Sequence, residues 1–218
     1  MCVLFVQKGD FTNANEWFAK ALKMRPNDAA VHFQWAMALI YQDRGDEAKT
    51  HADEAARLGM DSVNLDLQRG IIARQGTQHK QAVAYLSKAL ERAPNHQGAH
   101  YHLALTYLAN GEREKALELA KTHSKEHPNS YWAWAALGWA QYAGGRHDDA
   151  EKSLRKAMSL GNRYPEIFYL FGRVLSAQGR DVEAQQVAKV LATLIDAPEV
   201  FVTRKQARRW LTEVSAPE

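Results

Sequence analysis

An alanine returns every 34 residues along almost the whole of this 218-residue chain. Its positions are Ala14, Ala48, Ala82, Ala116, Ala150 and Ala184. Glycine keeps the same step at Gly111, Gly145 and Gly179. A fixed period of this length is typical of a solenoid built from stacked supersecondary units. Such an array grows by adding units rather than by enlarging one core, and it works mainly by offering an extended surface to a partner.

Each period has the pattern of two helices joined by a short turn. In the period that begins at Tyr131, apolar residues recur at helical spacing as far as Ala143, where Gly144 and Gly145 interrupt the pattern. A second amphipathic segment follows and ends at Leu160. Glycine favours the left-handed conformation found at helix ends, and the proline that closes several other periods cannot continue a helix. The chain is therefore predicted to be all-α.

These positions resemble the tetratricopeptide-repeat (TPR) family, whose pattern is W-x2-L-G-x2-Y, then A-x3-F, then A and P. The matching residues are Trp134, Leu137 and Gly138 in one repeat, Phe168, Phe171 and Gly172 at the same places in the next, and Ala14, Phe18, Ala21 and Pro26 in the first. The resemblance implies an all-α α-α solenoid, a right-handed superhelix of about six 34-residue helix pairs with a C-terminal capping helix.

The predicted TPR array covers residues 1–198, and a capping helix with a tail covers 199–218. The predicted repeats are 1–28, which is truncated, 29–62, 63–96, 97–130, 131–164 and 165–198. The chain opens with an apolar segment at residues 1–6, whereas end repeats normally carry a polar outer face. We therefore expect that this chain is a piece of a longer protein or that another surface covers this end, a second copy included.

Some residues depart from the family pattern and leave the register intact. Asp43 stands in place of the loop glycine, Met60 and Asn162 in place of the terminal proline, and His123 and Leu191 in place of alanine. The small residues bring helices together: Ala82 is predicted to face Gly70, and Ala150 to face Gly138. Leucine at either alanine should cost roughly 1–3 kcal/mol by overpacking.

The overall charge of the chain disfavours nucleic acid as a partner. The formal net charge is +3, and Lys and Arg are mostly interleaved with Asp and Glu, whereas nucleic-acid binders cluster basic residues on one face. The local excess at Arg204-Lys205 and Arg208-Arg209 is predicted to be a solvated polar cap. No membrane span is predicted, and no signal-peptide pattern opens the chain. The expected compartment is the cytoplasm, or the periplasm if the chain is a fragment of an exported protein.

The resemblance also implies a binding surface, because TPR ligands usually lie in the concave face lined by the first helix of each repeat. The predicted groove residues are Phe33, Met37, Tyr41, Leu67, Ile71, Arg74, Tyr101, Leu105, Leu108, Trp132, Trp139, Tyr142, Tyr169 and Arg173. They are mostly apolar and aromatic, which suits an apolar or amphipathic segment of a protein or peptide. Trp132, Trp139 and Tyr142 are the predicted anchors. Arg74 and Arg173 are too few for the carboxylate clamp that other family members use.

Other interpretations of the same residues stay open. The apolar first helices also suit packing between repeats alone. The chain also suits a structural segment of a larger bacterial envelope, secretion or polysaccharide-export protein. The groove aromatics could stack on a saccharide. Such a site also needs polar side chains that bind the sugar hydroxyls, and Gln141 and His102 are few for this purpose. RNA binding is less favoured, because RNA-reading repeats need a polar base-reading position in each unit.

No motif in the sequence indicates an enzyme or a cofactor. His96 with His100, and His123 with His127, have a spacing of four residues, but a zinc site needs three or four ligands and we expect surface and loop histidines without metal. The single cysteine, Cys2, excludes an intrachain disulfide and is expected to pack as a small residue rather than act as a nucleophile. The P-loop, G-x-G-x-x-G, G-x-S-x-G and H-E-x-x-H motifs do not occur. The predicted function is binding and positioning of a protein or peptide.

Overall fold

The computed structural model of the chain describes residues 2–160, 164–195 and 204–214, and all its regular elements there are helices. The thirteen helices of these residues are α1 (Cys2–Gln7), α2 (Phe11–Met24), α3 (Ala29–Tyr41), α4 (Gly45–Arg57), α5 (Val63–Gln75), α6 (His79–Arg92), α7 (Gln97–Ala109), α8 (Arg113–Glu126), α9 (Tyr131–Ala143), α10 (His147–Ser159), α11 (Pro165–Ala177), α12 (Asp181–Leu194) and α13 (Arg204–Val214). The predicted fold class, an all-α solenoid of helix pairs with a C-terminal capping helix, is confirmed.

The chain divides into two compact units. Among the described residues, unit 1 contains residues 2–94 and helices α1 to α6, and unit 2 contains the residues from 95 onward and helices α7 to α13. Within each unit, consecutive helices pack as antiparallel neighbours, such as α5 with α6 and α9 with α10. In unit 2, the first helices of successive pairs also pack directly on each other, α7 on α9. Each unit is thus a short stack of helix pairs.

A left-handed residue lies between the two helices of every pair. Its positions are Gly9, Asp43, Thr77, Gly111, Gly145 and Gly179, each 34 residues after the last. The φ angles of Asp43 and Thr77 are both 58°. A side chain with a Cβ is strained there, and a β-branched residue such as Thr is a marked outlier. The sequence pattern therefore predicted the turn correctly at Asp43, whereas Thr77 has the same conformation although the glycine of its turn, Gly76, lies one position earlier.

Among the first helices, α3, α5, α7 and α9 begin with side-chain caps and α11 does not, whereas among the second helices only α2 has one, from Asp10. Asp28 accepts hydrogen bonds from the backbone of Ala30 and Val31, and Ser130 accepts one from the backbone N–H of Ala133. Removal of such a cap costs about 1 kcal/mol. Helices α4, α6, α8, α10 and α12 begin without a side-chain cap. The position of each of these helices depends on packing against the other helix of its pair.

Glycine permits close packing within helix pairs, as expected, although a different residue fills the space. A Cβ on Gly70 would lie 2.6 Å from Cγ of Leu86 and 3.5 Å from the carbonyl oxygen of Ala82. Gly138 meets Leu154 in the same way. The predicted neighbour, Ala82, therefore contributes its backbone, and the leucine four residues later packs into the space that glycine leaves.

Some sequence expectations lie outside the described residues. They concern Asn162 at a repeat boundary and the side chains of residues 1–3 and Arg204. Across the residues that the structure describes, no helix combines the length and apolarity needed to cross a lipid bilayer.

Candidate functional site: a C-terminal cleft and a histidine cluster

The predicted groove residues are all at least partly covered. Those that are buried are Ile71, Arg74, Tyr101, Leu105 and Tyr169. Those that are half-buried are Phe33, Met37, Tyr41, Leu67, Leu108, Trp132, Trp139, Tyr142 and Arg173. A half-buried side chain still has surface that a ligand can contact. The half-buried residues therefore support the predicted groove more than the buried residues do.

In unit 2, the beginnings of the first helices fill the space between them with their own side chains. The hydroxyl of Tyr101 on α7 donates a 2.8 Å hydrogen bond to the carboxylate of Glu166 on α11, across the intervening repeat. Both side chains are fully buried. The ring centroid of Trp132 on α9 lies 4.8 Å from that of Tyr101 and 5.1 Å from that of Tyr164. Trp132, predicted as an anchor, is thus already surrounded by aromatic rings of its own chain.

An open cleft of about 750 Å³ lies further along the same helices, between α11, α12 and α13. We call it the C-terminal cleft and define it by six of its lining residues. They are Tyr169 and Arg173 on α11, Asp181 on α12, and Arg209, Trp210 and Glu213 on α13. A cleft of this volume is within the range of small-ligand sites. Of the predicted groove residues, it includes Tyr169 and Arg173.

Two buried aromatic residues, Tyr169 and Trp210, line the C-terminal cleft, and Trp139 lies against Tyr169 outside this lining. The ring centroid of Tyr169 lies 6.2 Å from that of Trp139 and 6.0 Å from that of Trp210. Nη1 of Arg173 donates a 3.1 Å hydrogen bond to the hydroxyl of Tyr169. Burial raises the pKa of the Tyr169 hydroxyl against the opposing effect of Arg173. The hydroxyl is therefore neutral near pH 7 and can accept this bond.

The capping helix α13 lines the cleft because Gly172 leaves room for its Trp210. A Cβ on Gly172 would overlap the indole ring of Trp210. In earlier pairs the second helix fills the equivalent space with Leu86 or Leu154, but the residue 34 positions after Leu154 is Ala188. Trp210 of α13 thus takes the place of the leucine, and α13 becomes part of the cleft as well as a cap.

The α13 residues of the cleft were missed by the sequence analysis, which predicted only a solvated polar cap. Arg209 is exposed and pairs with Glu213 at 3.0 Å, as a polar cap would. Trp210, the next residue, is only 3% exposed. A tryptophan that interrupts a basic run is the signal that could have identified this part of the lining.

A histidine cluster lies elsewhere in unit 2, at the end of α8. Ring centroids of His123 and His100 are 4.1 Å apart, and those of His123 and His127 are 4.6 Å apart. One donor atom each from His123, Glu126 and His127 lies within 4.8 Å of the others. Burial, with smaller contributions from His100 and His127, lowers the pKa of His123 to about 3. Its ring is therefore neutral near pH 7, the form that can offer a lone pair.

Comparisons with known proteins agree on the fold. Two tetratricopeptide-repeat family profiles match the chain, one at residues 73–139 and the other at residues 3–28 and 133–160. The chain is similar to the crystal structure of TTC0263, a thermophilic TPR protein of Thermus thermophilus, with a TM-score of 0.72, 20% identity and coverage of 86% of this chain and 98% of that one. It is also similar to PilW, a type IV pilus biogenesis factor, with a TM-score of 0.68, 19% identity and 88% coverage of both chains.

A relative among characterised sequences is much longer than this chain. The tetratricopeptide repeat-containing protein trd-1 of Caenorhabditis elegans is 25% identical over 131 residues, which are 58% of this chain and 17% of that protein. The chain thus spans about a sixth of the length of that relative. These similarities are likenesses of repeat and fold.

Proposed function

Because this chain belongs to the tetratricopeptide-repeat family, whose members are generally protein-interaction scaffolds, we propose that it binds a segment of a protein partner and positions it without catalysing a reaction. The C-terminal cleft is the proposed binding site. The observation that carries the proposal is an open volume of about 750 Å³ whose lining includes Tyr169 and Trp210. Tyr and Trp are among the side chains on which interfaces most often depend.

The chemistry of the cleft suits a peptide with apolar side chains and an uncharged backbone. Half-buried Trp139 offers apolar area next to the cleft, where it contacts Tyr169, which is buried like Trp210. Arg173 and Arg209 line the same opening as Asp181 and Glu213. This mixture of charges favours backbone amides, which carry both donors and acceptors, over a ligand with a single strong charge.

Half-buried aromatics next to the cleft extend the proposed surface along α9. Trp139 lies one ring contact from Tyr169, and the hydroxyl of Tyr142 interacts with the guanidinium of Arg173. Leu108 of α7 is also half-buried. An extended or helical peptide longer than the cleft itself would also contact these residues. The proposed surface therefore includes most of the predicted groove residues of unit 2, but not Tyr101 and Trp132.

A peptide selection with matched tryptophan variants tests this proposal. A random peptide library displayed on phage is selected on the purified chain, and enriched peptides are measured by fluorescence anisotropy. We expect apolar or aromatic peptides whose affinity falls at least tenfold in Trp139→Ala, a loss of about 1.4 kcal/mol. Trp134→Ala is the matched control, because Trp134 is also half-buried on α9 but its indole donates to the carbonyl oxygen of Pro128 at 2.8 Å.

Circular dichroism establishes that both variants remain helical before binding is compared. Equal weakening by the two tryptophan variants would contradict a site at the C-terminal cleft, as would a selection that enriches no peptide. Enriched peptides that bind Arg173→Ala as tightly as the wild-type chain would place the ligand outside the cleft.

A second proposed role is that of a structural segment in a larger TPR protein. The supporting observation is that the similarity to this chain covers only 17% of the length of trd-1. Immunoblotting of source cells with an antibody against α9 to α13 measures the native mass. A band well above 24.6 kDa is the expected result, and a band at that mass would contradict this role.

We further propose that the N-terminal end self-associates. Leu4 is 59% exposed although it is a large apolar residue on α1, and its neighbour Phe5 is half-buried. Sedimentation velocity over a range of concentrations is expected to show self-association that Leu4→Glu abolishes. Val182→Glu, at another exposed apolar residue in unit 2, should leave it unchanged; self-association that survives Leu4→Glu would contradict the proposal.

A further inference from the structure

We propose that His123, Glu126 and His127 form a binding site for a divalent transition-metal ion, with zinc as the principal ion. The three residues lie at the end of α8, where one ligand atom from each is within 4.8 Å of the other two. The site lies apart from the C-terminal cleft, so it is independent of the proposed peptide binding.

The spacing of the three residues places their side chains on one face of a helix. Residues three and four positions apart are neighbours on a helical surface. The backbone N–H of His127 still donates to the carbonyl oxygen of His123 at 2.9 Å, so the last turn of α8 is intact there. Two histidines four residues apart on one face are the spacing by which metalloprotease helices hold zinc.

The donor set suits a borderline metal ion. Two imidazoles with one carboxylate make up the protein ligands of one class of catalytic zinc site, in which a further position stays open. Imidazole also suits copper and nickel, whereas magnesium and calcium prefer oxygen alone. Glu126 is exposed and His127 half-buried, so an ion can enter from solvent and its open positions would face solvent or a partner.

Burial of His123 is the independent observation that indicates a ligand. The side chain is 2% exposed, and among the described residues neither ring nitrogen has a hydrogen-bond partner. A buried polar group without a partner is costly, so native proteins nearly always satisfy it. Coordination of a metal through one ring nitrogen would supply the missing partner.

The equivalent positions in other repeats show that the fold does not need a histidine here. Of the four residues 34 or 68 positions away, Ala55, Ala89 and Ala157 are fully buried alanines and Leu191 is a fully buried leucine. His123 therefore replaces a residue that packs well with one that lacks hydrogen bonds. His100 of α7 stacks on its ring with an interplanar angle of 20°, which restricts the ring orientation as ligand histidines require.

Zinc titration of the chelator-treated chain tests the site. Isothermal titration calorimetry is expected to show one equivalent of Zn²⁺ bound by the wild-type chain and affinity at least tenfold weaker in His123→Ala and His127→Ala. His123→Ala introduces the residue of three other repeats, so the variant is expected to fold. His79→Ala, at a half-buried histidine of α6, is the matched control and should bind zinc as the wild-type chain does.

Side-chain ¹⁵N spectra identify the ligands directly. Zinc is expected to shift the ring nitrogen resonances of His123 and His127 and to leave that of His79 unchanged. The proposal is overturned if the wild-type chain binds no stoichiometric zinc, if either His123→Ala or His127→Ala keeps wild-type affinity, or if His79→Ala weakens binding equally. None of these results bears on the peptide selection.

Discussion

The two units share one repeat pattern but fill the space between their helices differently. In unit 1, the buried carboxylate of Asp66 on α5 pairs with Lys88 at 3.0 Å and Arg92 at 3.1 Å, both on α6 of the same helix pair. In unit 2, the buried carboxylate of Glu166 receives the hydroxyl of Tyr101 from two repeats away. The carboxylate of Asp66 thus binds within its own helix pair, whereas the carboxylate of Glu166 joins helix pairs that are two repeats apart.

The difference shows that the repeat determines helix pairing, while its variable positions determine how far contacts reach. Unit 1 keeps Phe33, Met37 and Leu67 half-buried on its first helices. Unit 2 covers Tyr101 and Leu105 fully or nearly so. Bonds between non-adjacent repeats couple the stability of those repeats, which otherwise depends on nearest neighbours. We therefore expect unit 2 to unfold more cooperatively than unit 1.

The largest effect should come from removing the capping contact of unit 2. Trp210→Ala deletes a buried indole that packs against Gly172, and such deletions cost about 3–5 kcal/mol. Denaturant unfolding measures the loss, and hydrogen exchange should show it first in α11 and α13. An unfolding free energy equal to that of the wild-type chain would mean that α13 adds no stability to unit 2.

A smaller loss should follow from breaking the bond between distant repeats. Tyr101→Phe keeps the ring but removes a donor from the buried carboxylate of Glu166, which should cost about 2 kcal/mol. Hydrogen exchange should accelerate in both α7 and α11, because the bond joins them. Faster exchange in α7 alone would contradict the coupling that distinguishes unit 2 from unit 1.

Acid should weaken a second link inside unit 2. Burial raises the pKa of Glu151, but hydrogen bonds from Arg180 at 2.7 Å and Arg155 at 2.8 Å outweigh this and lower it to about 2. A carboxyl with a lowered folded-state pKa contributes stability above its unfolded pKa of about 4.3 that is lost as the pH falls towards 2. Allowing for solvent screening, we expect a loss of about 1 kcal/mol.

The matched variant for this pH effect is Glu151→Gln. The difference in unfolding free energy between the wild-type chain and this variant should shrink as the pH falls from about 5 towards 2, the range between the unfolded and folded pKa values. A difference that stays constant over that range would show that the two arginines do not stabilise the ionised carboxylate.

The smallest effect should be a gain in unit 1, where two turns have a residue other than glycine at the left-handed position. Thr77→Gly relieves a left-handed β-branched residue, for a gain of about 1 kcal/mol after the entropy of glycine is counted. Gly145→Ala, in the equivalent turn of unit 2, should lose about 1 kcal/mol by the same reasoning. Thermal melts measure the change in stability of both variants. A gain in both, or a loss in both, would contradict backbone strain at Thr77.

Sequence alone determined the helix pairs and their turns, because both depend on residues close together in the chain. Period, glycine and proline predicted the helices on either side of Gly145, and the departure at Asp43 identified a turn that is indeed left-handed. Thr77 was not identified as a left-handed residue, because a threonine does not by itself indicate a positive φ. A local backbone conformation can be predicted from the sequence only where the residue type, such as glycine, is specialised for it.

Tertiary structure alone decided which side chains surround each aromatic residue. Trp132 and Trp139 are both tryptophans of α9, yet Trp132 lies among Tyr101 and Tyr164 whereas Trp139 contacts Tyr169, a lining residue of the C-terminal cleft. That distinction depends on Glu166 and Trp210, which come from other repeats or the capping helix. The pairing of Tyr101 with Glu166 spans 65 residues, and a contact at that separation follows from how helix pairs stack, which a 34-residue period does not specify.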